Sequence, residues 1–246
     1  MWNWIKTRWN GQQDESNVAT PLRRPELRAF AREQERQELF DSLWNKLREN
    51  RLDSVVSAAG ELIHSQTPHE ALEAHKIMGQ VSINRHRYAD AVMHFQQVVA
   101  IQPSADSWFN LATASVLSGD VEQGEQAFEQ ALHICVEQGN SAYPSVPFMR
   151  LYFCCALIEK NALEQAFHQV NILRSNYERV RNTDQLFLQQ RGLPSLQHTM
   201  KVAEDLFRKA KEHFDFETWL AEFAGRLDPA GQALLEHMRL TLKNQA

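Results

Sequence analysis

From residue 25 onward, apolar side chains return at every third or fourth position in short runs parted by polar turns, the pattern of amphipathic helices. Pro25 reads as the first-turn proline of a charged helix that carries Leu27, Phe30, Leu39, Phe40, Leu43, Trp44 and Leu47. Residues 33–38 contain no apolar side chain, so a break in that helix is expected there. Turns are predicted at Asn50-Arg51-Leu52-Asp53, Asn84-Arg85-His86-Arg87, Ser118-Gly119-Asp120 and Lys160-Asn161. Helices joined by turns this short form αα-hairpins. Toward the carboxyl end, residues 184–213 carry a further run from Leu186 to Phe207, interrupted at Gly192 and Pro194. A helix around Trp219, Leu220 and Phe223 follows, and Asp228-Pro229 opens a last one through Leu234, Leu235, Met238 and Leu242.

The runs are copies of one another. Residues 72–105 place Gly79, Ala91, Phe95 and Pro103 at intervals that return after residue 105, where Trp108, Leu111 and Ala112 precede Gly124, Phe128 and Ala131. Weaker copies span 37–71, with Leu43, Trp44, Leu47, Val56, Ile63 and Pro68, and 147–180, with Cys154, Leu157, Ala166, Val170 and Leu173. Small residues let two helices cross closely, Phe95 fills the space between them, and Pro103 ends the second helix. These residues, at a spacing near the roughly 34-residue period of that family, resemble the tetratricopeptide repeat. The resemblance covers residues 37–180 and implies an all-α solenoid of αα-hairpins, about three to four repeats long, with extra amino- and carboxyl-terminal helices. The expected division is a tryptophan-rich segment at 1–24, a repeat domain at 25–182 and a helical cap at 183–246.

In tetratricopeptide proteins the first helix of each pair lines a concave face that holds peptides. Transferred to this chain, the resemblance implies groove residues Lys76, Gln80, Ile83 and Asn84, then Phe109, Asn110 and Thr113, then Phe148, Leu151 and Tyr152. Some members clamp a peptide's terminal carboxylate with basic and amide side chains. Lys76 and Asn110 match two of those places, while Gln80 replaces an asparagine and Phe148 and Tyr152 replace basic residues, so the full clamp is absent. The aromatic half suits apolar anchors instead, unless the carboxyl-terminal helices cover it. The function implied is a protein–protein interaction adaptor or chaperone that holds a partner segment. The chain is similar to the small tetratricopeptide chaperones of bacterial type III secretion, from which its added carboxyl-terminal region departs. A scaffold subunit of a secretion or other multiprotein assembly, and an enzyme with an unrecognised helical site, are the rival readings.

Composition sharpens this picture. Only 9 glycines and 8 prolines occur among 246 residues, with 43% apolar content, which suits a helical core. A net charge of −5 argues against nucleic acid as partner. No phosphate-loop, dinucleotide, nucleophile-elbow or zinc-protease motif occurs, so no catalytic residue, cofactor or metal is expected. None of the 10 histidines forms an i,i+4 pair, and His86 and His94 read as solvated residues on a turn and the helix after it. The 3 cysteines, Cys135, Cys154 and Cys155, lack metal or redox spacing, which suits a reducing compartment. With no apolar run of secretory or membrane-spanning type, a cytoplasmic location is expected. Trp2, Trp4 and Trp9, beside Lys6 and Arg8, form a candidate amino-terminal anchor for the protein's own domain, a partner or a membrane interface.

Overall fold

The computed structural model describes the backbone of residues 24–138, 144–210 and 213–243, and side chains from residue 31 to residue 240 within those spans. The helices are α1 (Arg24–Arg48), α2 (Leu52–Leu62), α3 (Pro68–Asn84), α4 (Tyr88–Ile101), α5 (Ala105–Ser118), α6 (Val121–Glu137), α7 (Val146–Glu159), α8 (Leu163–Val180), α9 (Gln185–Gln190), α10 (Leu196–Lys209), α11 (Phe216–Ala224) and α12 (Pro229–Lys243). The described residues contain no strand, so the fold is all-α. No helix among them is long and apolar enough to cross a membrane. Trp2, Trp4 and Trp9 lie outside the described residues.

The chain divides between Ile101 and Gln102 into two compact units, just ahead of Pro103 and within the span expected to form one repeat domain. In the first unit α1 runs unbroken through the polar stretch expected to interrupt it. Glu, Gln and Arg are good helix formers, so lacking an apolar contact does not end a helix. Arg36 in that stretch reaches across to Glu70 of α3 at 2.6 Å. The core is built from Phe40, Leu43 and Leu47 of α1, Val55 and Ala59 of α2, and Ile77 and Val81 of α3. Trp44 and Val56 are only partly buried against it. The inward-facing positions of the first hairpin are thus Leu43 and Val55, one residue earlier than the pattern of Trp44 and Val56 predicts.

Four helix pairs close through one device. Asn50, His86, Gly119 and Asn161 take left-handed backbone angles, with φ of 61°, 57°, 104° and 57°. In each case the next amide turns back on the helix just ended: Arg51 to Lys46 at 2.8 Å, Arg87 to Ser82 at 2.8 Å, Asp120 to Ser115 at 3.0 Å and Ala162 to Leu157 at 2.9 Å. This is the Schellman arrangement, which satisfies carbonyls that a helix end leaves unpaired. Glycine and asparagine tolerate that backbone best, and histidine is enriched there. At Ser118-Gly119-Asp120 a single turn does both jobs, since Asp120 also caps α6 by accepting from the Gln123 amide at 2.9 Å.

The left-handed residue sits at a constant register between two inward-facing positions. Leu43 and Val55 flank Asn50, Gly79 and Ala91 flank His86, Ala112 and Gly124 flank Gly119, and Cys154 and Ala166 flank Asn161, all of them buried. At Gly79 the crossing is tight: a Cβ there would lie 2.6 Å from Phe95 Cε1. At Gly124 a Cβ would meet Val116 and stand 3.1 Å from the Ala112 carbonyl oxygen. In the fourth pair the Cys154 thiol reaches the Ala166 carbonyl at 3.5 Å.

In the second unit α5 packs on α6 and α7, α7 on α8, and α10 on both α7 and α8. Residues 111–117 of α5 are all buried, so that helix is covered on every side. Phe128 of α6 stacks on Phe153 of α7 with ring centroids 4.2 Å apart. Tyr177 of α8 donates to the Pro194 carbonyl at 2.9 Å and meets the Thr199 hydroxyl at 2.7 Å, tying α8 to the start of α10. Arg174 clasps α11 to α8: it pairs with Glu178 at 2.6 Å, donates to the Trp219 carbonyl at 3.2 Å and lies 5.3 Å from that indole ring. Trp219 in turn donates to Asn171 at 2.8 Å. The last helix is fixed by Asp228, which accepts from the Thr183 hydroxyl at 2.6 Å and the Thr183 amide at 3.0 Å.

Three outcomes test this account. Gly60 of α2 has nothing within 4 Å of where a Cβ would stand, so Gly60→Ala should stabilise the protein by about 0.5–1 kcal/mol, as in any open helix interior. Gly79→Leu should cost about 1–3 kcal/mol or more by overpacking; urea unfolding of both variants checks the contrast. Arg174→Leu should cost about 1–3 kcal/mol by leaving Glu178 and the Trp219 carbonyl short of a donor, read by calorimetry.

Candidate interaction surface

The implied groove residues separate into a polar row on α3 and a mostly covered set on α5 and α7. Lys76, Gln80 and Asn84 succeed one another a helical turn apart on α3, and each is half-buried. Lys76 is held by Glu73 at 2.7 Å, and Glu73 also accepts from the Trp44 indole at 3.4 Å. Gln80 donates to the Asn84 side-chain oxygen at 3.3 Å, whereas the buried Asn84 Nδ2 meets no acceptor among the described residues. Ile83 faces inward and is 5% exposed. The accessible chemistry of this row is therefore amide and ammonium, suited to main-chain and carboxylate groups.

On α5, Phe109 and Thr113 are 6% and 8% exposed, and the Thr113 hydroxyl donates to the Phe109 carbonyl at 3.0 Å. Asn110 between them stays half-buried. On α7, Leu151 has no exposure and Tyr152 retains 6%, leaving Phe148 half-buried with its ring 6.4 Å from that of Tyr152. His198 of α10 meets Tyr152 edge-on at 6.4 Å. α7 is apolar around nearly its whole circumference, and an exposed side of that kind would cost far more than covering it with α10. Of the apolar side chains in the implied groove, Phe109, Leu151 and Tyr152 are buried in this fold and Phe148 is half-buried.

Burial raises the Cys154 thiol well above its ordinary range and pushes Cys155 up to about 12, with Cys135 raised for the same reason. Thiols kept protonated in this way are poor nucleophiles. Arg150 is lowered by burial and donates to Gln169 at 2.7 Å. Among the described residues no group of three His, Cys, Asp or Glu is arranged to hold a metal ion. Comparison with known proteins found no matching family model, no matching curated protein and no matching solved structure.

One pair escaped the sequence reading. His94 is not solvated: its Nδ1 lies 3.0 Å from Nδ1 of His75, on the facing helix α3, and both side chains are half-buried. A search for i,i+4 pairs cannot find partners on two helices, and only the α3–α4 hairpin brings them together. His86, by contrast, is exposed on its turn and contacts the Tyr88 hydroxyl at 2.7 Å. Burial lowers both His75 and His94, helped at His75 by His64 and at His94 by His75 and Arg87, against an upward pull from Asp90.

The sign of the resulting pH dependence follows from linkage. The folded pair resists protons that the unfolded chain accepts, so its contribution is complete above the ordinary histidine value of 6.5 and is lost as pH falls through the lower folded values. Urea midpoints should therefore fall between pH 7.5 and pH 5 by more in the native protein than in a His75→Gln, His94→Gln double variant. Equal falls would assign the effect to other groups.

Proposed function

We propose that the chain is a tetratricopeptide-like repeat protein that works by binding another polypeptide, as an adaptor or chaperone, along the polar row of α3. The observation that carries the reading is the recurrence of one hairpin design: a left-handed closing turn set between inward-facing positions at the same register in four successive pairs. Repeats of this kind stack by nearest-neighbour contact and present the first helix of each pair to a partner. Because Phe109, Leu151 and Tyr152 are buried, the reading rests on Lys76, Gln80 and Asn84 rather than on the aromatic half of the expected groove. Main-chain hydrogen bonds and one partly covered ammonium suit an extended segment with acidic or carboxyl-terminal character.

The burial pattern also selects the test. Glutamate at Phe109 or Tyr152 would place a charge in the interior and unfold the unit, so substitutions belong on α3. The tagged full chain and its Lys76→Glu, Gln80→Arg variant are each purified from native cells and their companions identified by mass spectrometry. Loss of specific companions with an unchanged thermal unfolding profile is expected. A properly folded variant that keeps every companion would remove α3 as the contact surface.

A further inference from the structure

We propose that Arg150 and Gln169 form a seat for one oxyanion, a carboxylate or a phosphate group, on the side of α7 that faces α6 and α8 in the second unit.

The hairpin of α7 and α8 brings the two side chains together. Arg150 stands one turn before Cys154, whose thiol meets the Ala166 carbonyl, and Gln169 follows Ala166 by three residues. Arg150 Nη1 donates to Gln169 Oε1 at 2.7 Å, and the guanidinium carbon lies 5.8 Å from the centre of the Phe128 ring on α6. Phe128 and Gln169 are 2% and 6% exposed, so both supports are fixed by packing. A planar guanidinium held by a ring and an amide keeps one orientation.

What this guanidinium lacks is an acid. Arg174 on α8, also partly buried, pairs with Glu178 and Glu222 and donates to the Trp219 carbonyl. Arg150 pairs with no carboxylate among the described residues, and burial is the cause that lowers it, with no neighbouring charge acting beside it. Taking a cation partly out of water is costly unless an opposite charge compensates. An arriving anion supplies that charge to a cation already part-dehydrated and already oriented.

The groups left over are all donors. Arg150 Nε and Nη2 make no bond among the described residues, and neither is enclosed. Since a guanidinium only donates, Gln169 must turn its oxygen toward Arg150, which leaves Nε2 as the free end of the amide. Donors without an acceptor select an anion, and the arginine fork matches two oxygens of one group. Glu125 and Glu129 flank Phe128 on α6, and their charge disfavours a polyanion, so the seat suits a single group. Arg150 is two residues from each of Phe148 and Tyr152, about 160–200° round the helix. The seat is thus on the opposite side of α7 from the implied groove, and it does not depend on the α3 row.

The test is titration of the full-length, nitrogen-15-labelled protein with sodium phosphate and, separately, sodium acetate, at an ionic strength held constant with sodium chloride. The Arg150 Nε–H and Gln169 side-chain amide resonances should shift saturably with at least one of them, and the tighter of the two identifies the source of the oxyanion. Arg150→Gln should weaken binding by about tenfold or more, the loss of charge-assisted hydrogen bonds. Arg150→Lys, which keeps the charge without the fork, should weaken it by less. Arg208→Gln, whose guanidinium is already paired with Glu204 and Asp205, should bind as the native protein does. No saturable shift with either anion, or undiminished affinity in folded Arg150→Gln, would overturn the assignment. Should Arg150→Gln fail to fold, the native protein and Arg150→Lys decide by the same titration.

Discussion

The constraint on which the rest of this structure depends is how closely two helices approach at their crossing. At Gly79 the Phe95 ring occupies the space a side chain would take, and at Gly124 the backbone of α5 comes almost as near. Close approach lets aromatic and branched neighbours fill the gap without voids, and that density gives dispersion and burial their weight. It also makes short connections possible, because helix ends held near one another can be joined by a turn of a few residues. The separation of His75 and His94 is inherited from the same crossing.

The closing turns complete what the crossings begin. Each converts unpaired carbonyls at a helix end into bonded ones and aims the chain back along its neighbour. A left-handed residue is tolerated at one place in each turn, and the chain supplies asparagine, histidine, glycine and asparagine there in succession. That these differ in type while the register stays constant shows that backbone geometry, rather than a shared side-chain contact, is what repeats.

The second unit solves a further problem. α7 is apolar on nearly every face and α5 is buried at every position from 111 to 117, so a single partner helix cannot cover either. α10 takes the remaining side of α7, with Tyr177 anchoring its start and Lys209 donating to the Ile158 carbonyl at 2.7 Å near its end. α11 is then secured by the Arg174 clasp, in which ion pairs, a carbonyl and two aromatic faces act on one guanidinium. Phe109, Leu151 and Tyr152 of the groove that the resemblance implies thereby become interior, whereas Lys76, Gln80 and Asn84 on α3 stay half-buried.

Helical character, the positions of the four turns and the small residues at 79, 91, 112 and 124 were all legible in the amino-acid sequence. They depend on local propensity, on the limited set of residues that accept left-handed backbone, and on a period that any helix must obey. The register of the first pair was misread by one residue, because Trp44 and Leu43 are both apolar and only packing against Ile77 and Val81 chooses between them. The unbroken α1 was missed for a related reason: a polar stretch shows that no core contact exists, not that the helix stops. Tertiary structure alone decided which apolar faces stay open and which histidines meet. Burial and pairing across helices depend on residues far apart in the chain, and no local period encodes them.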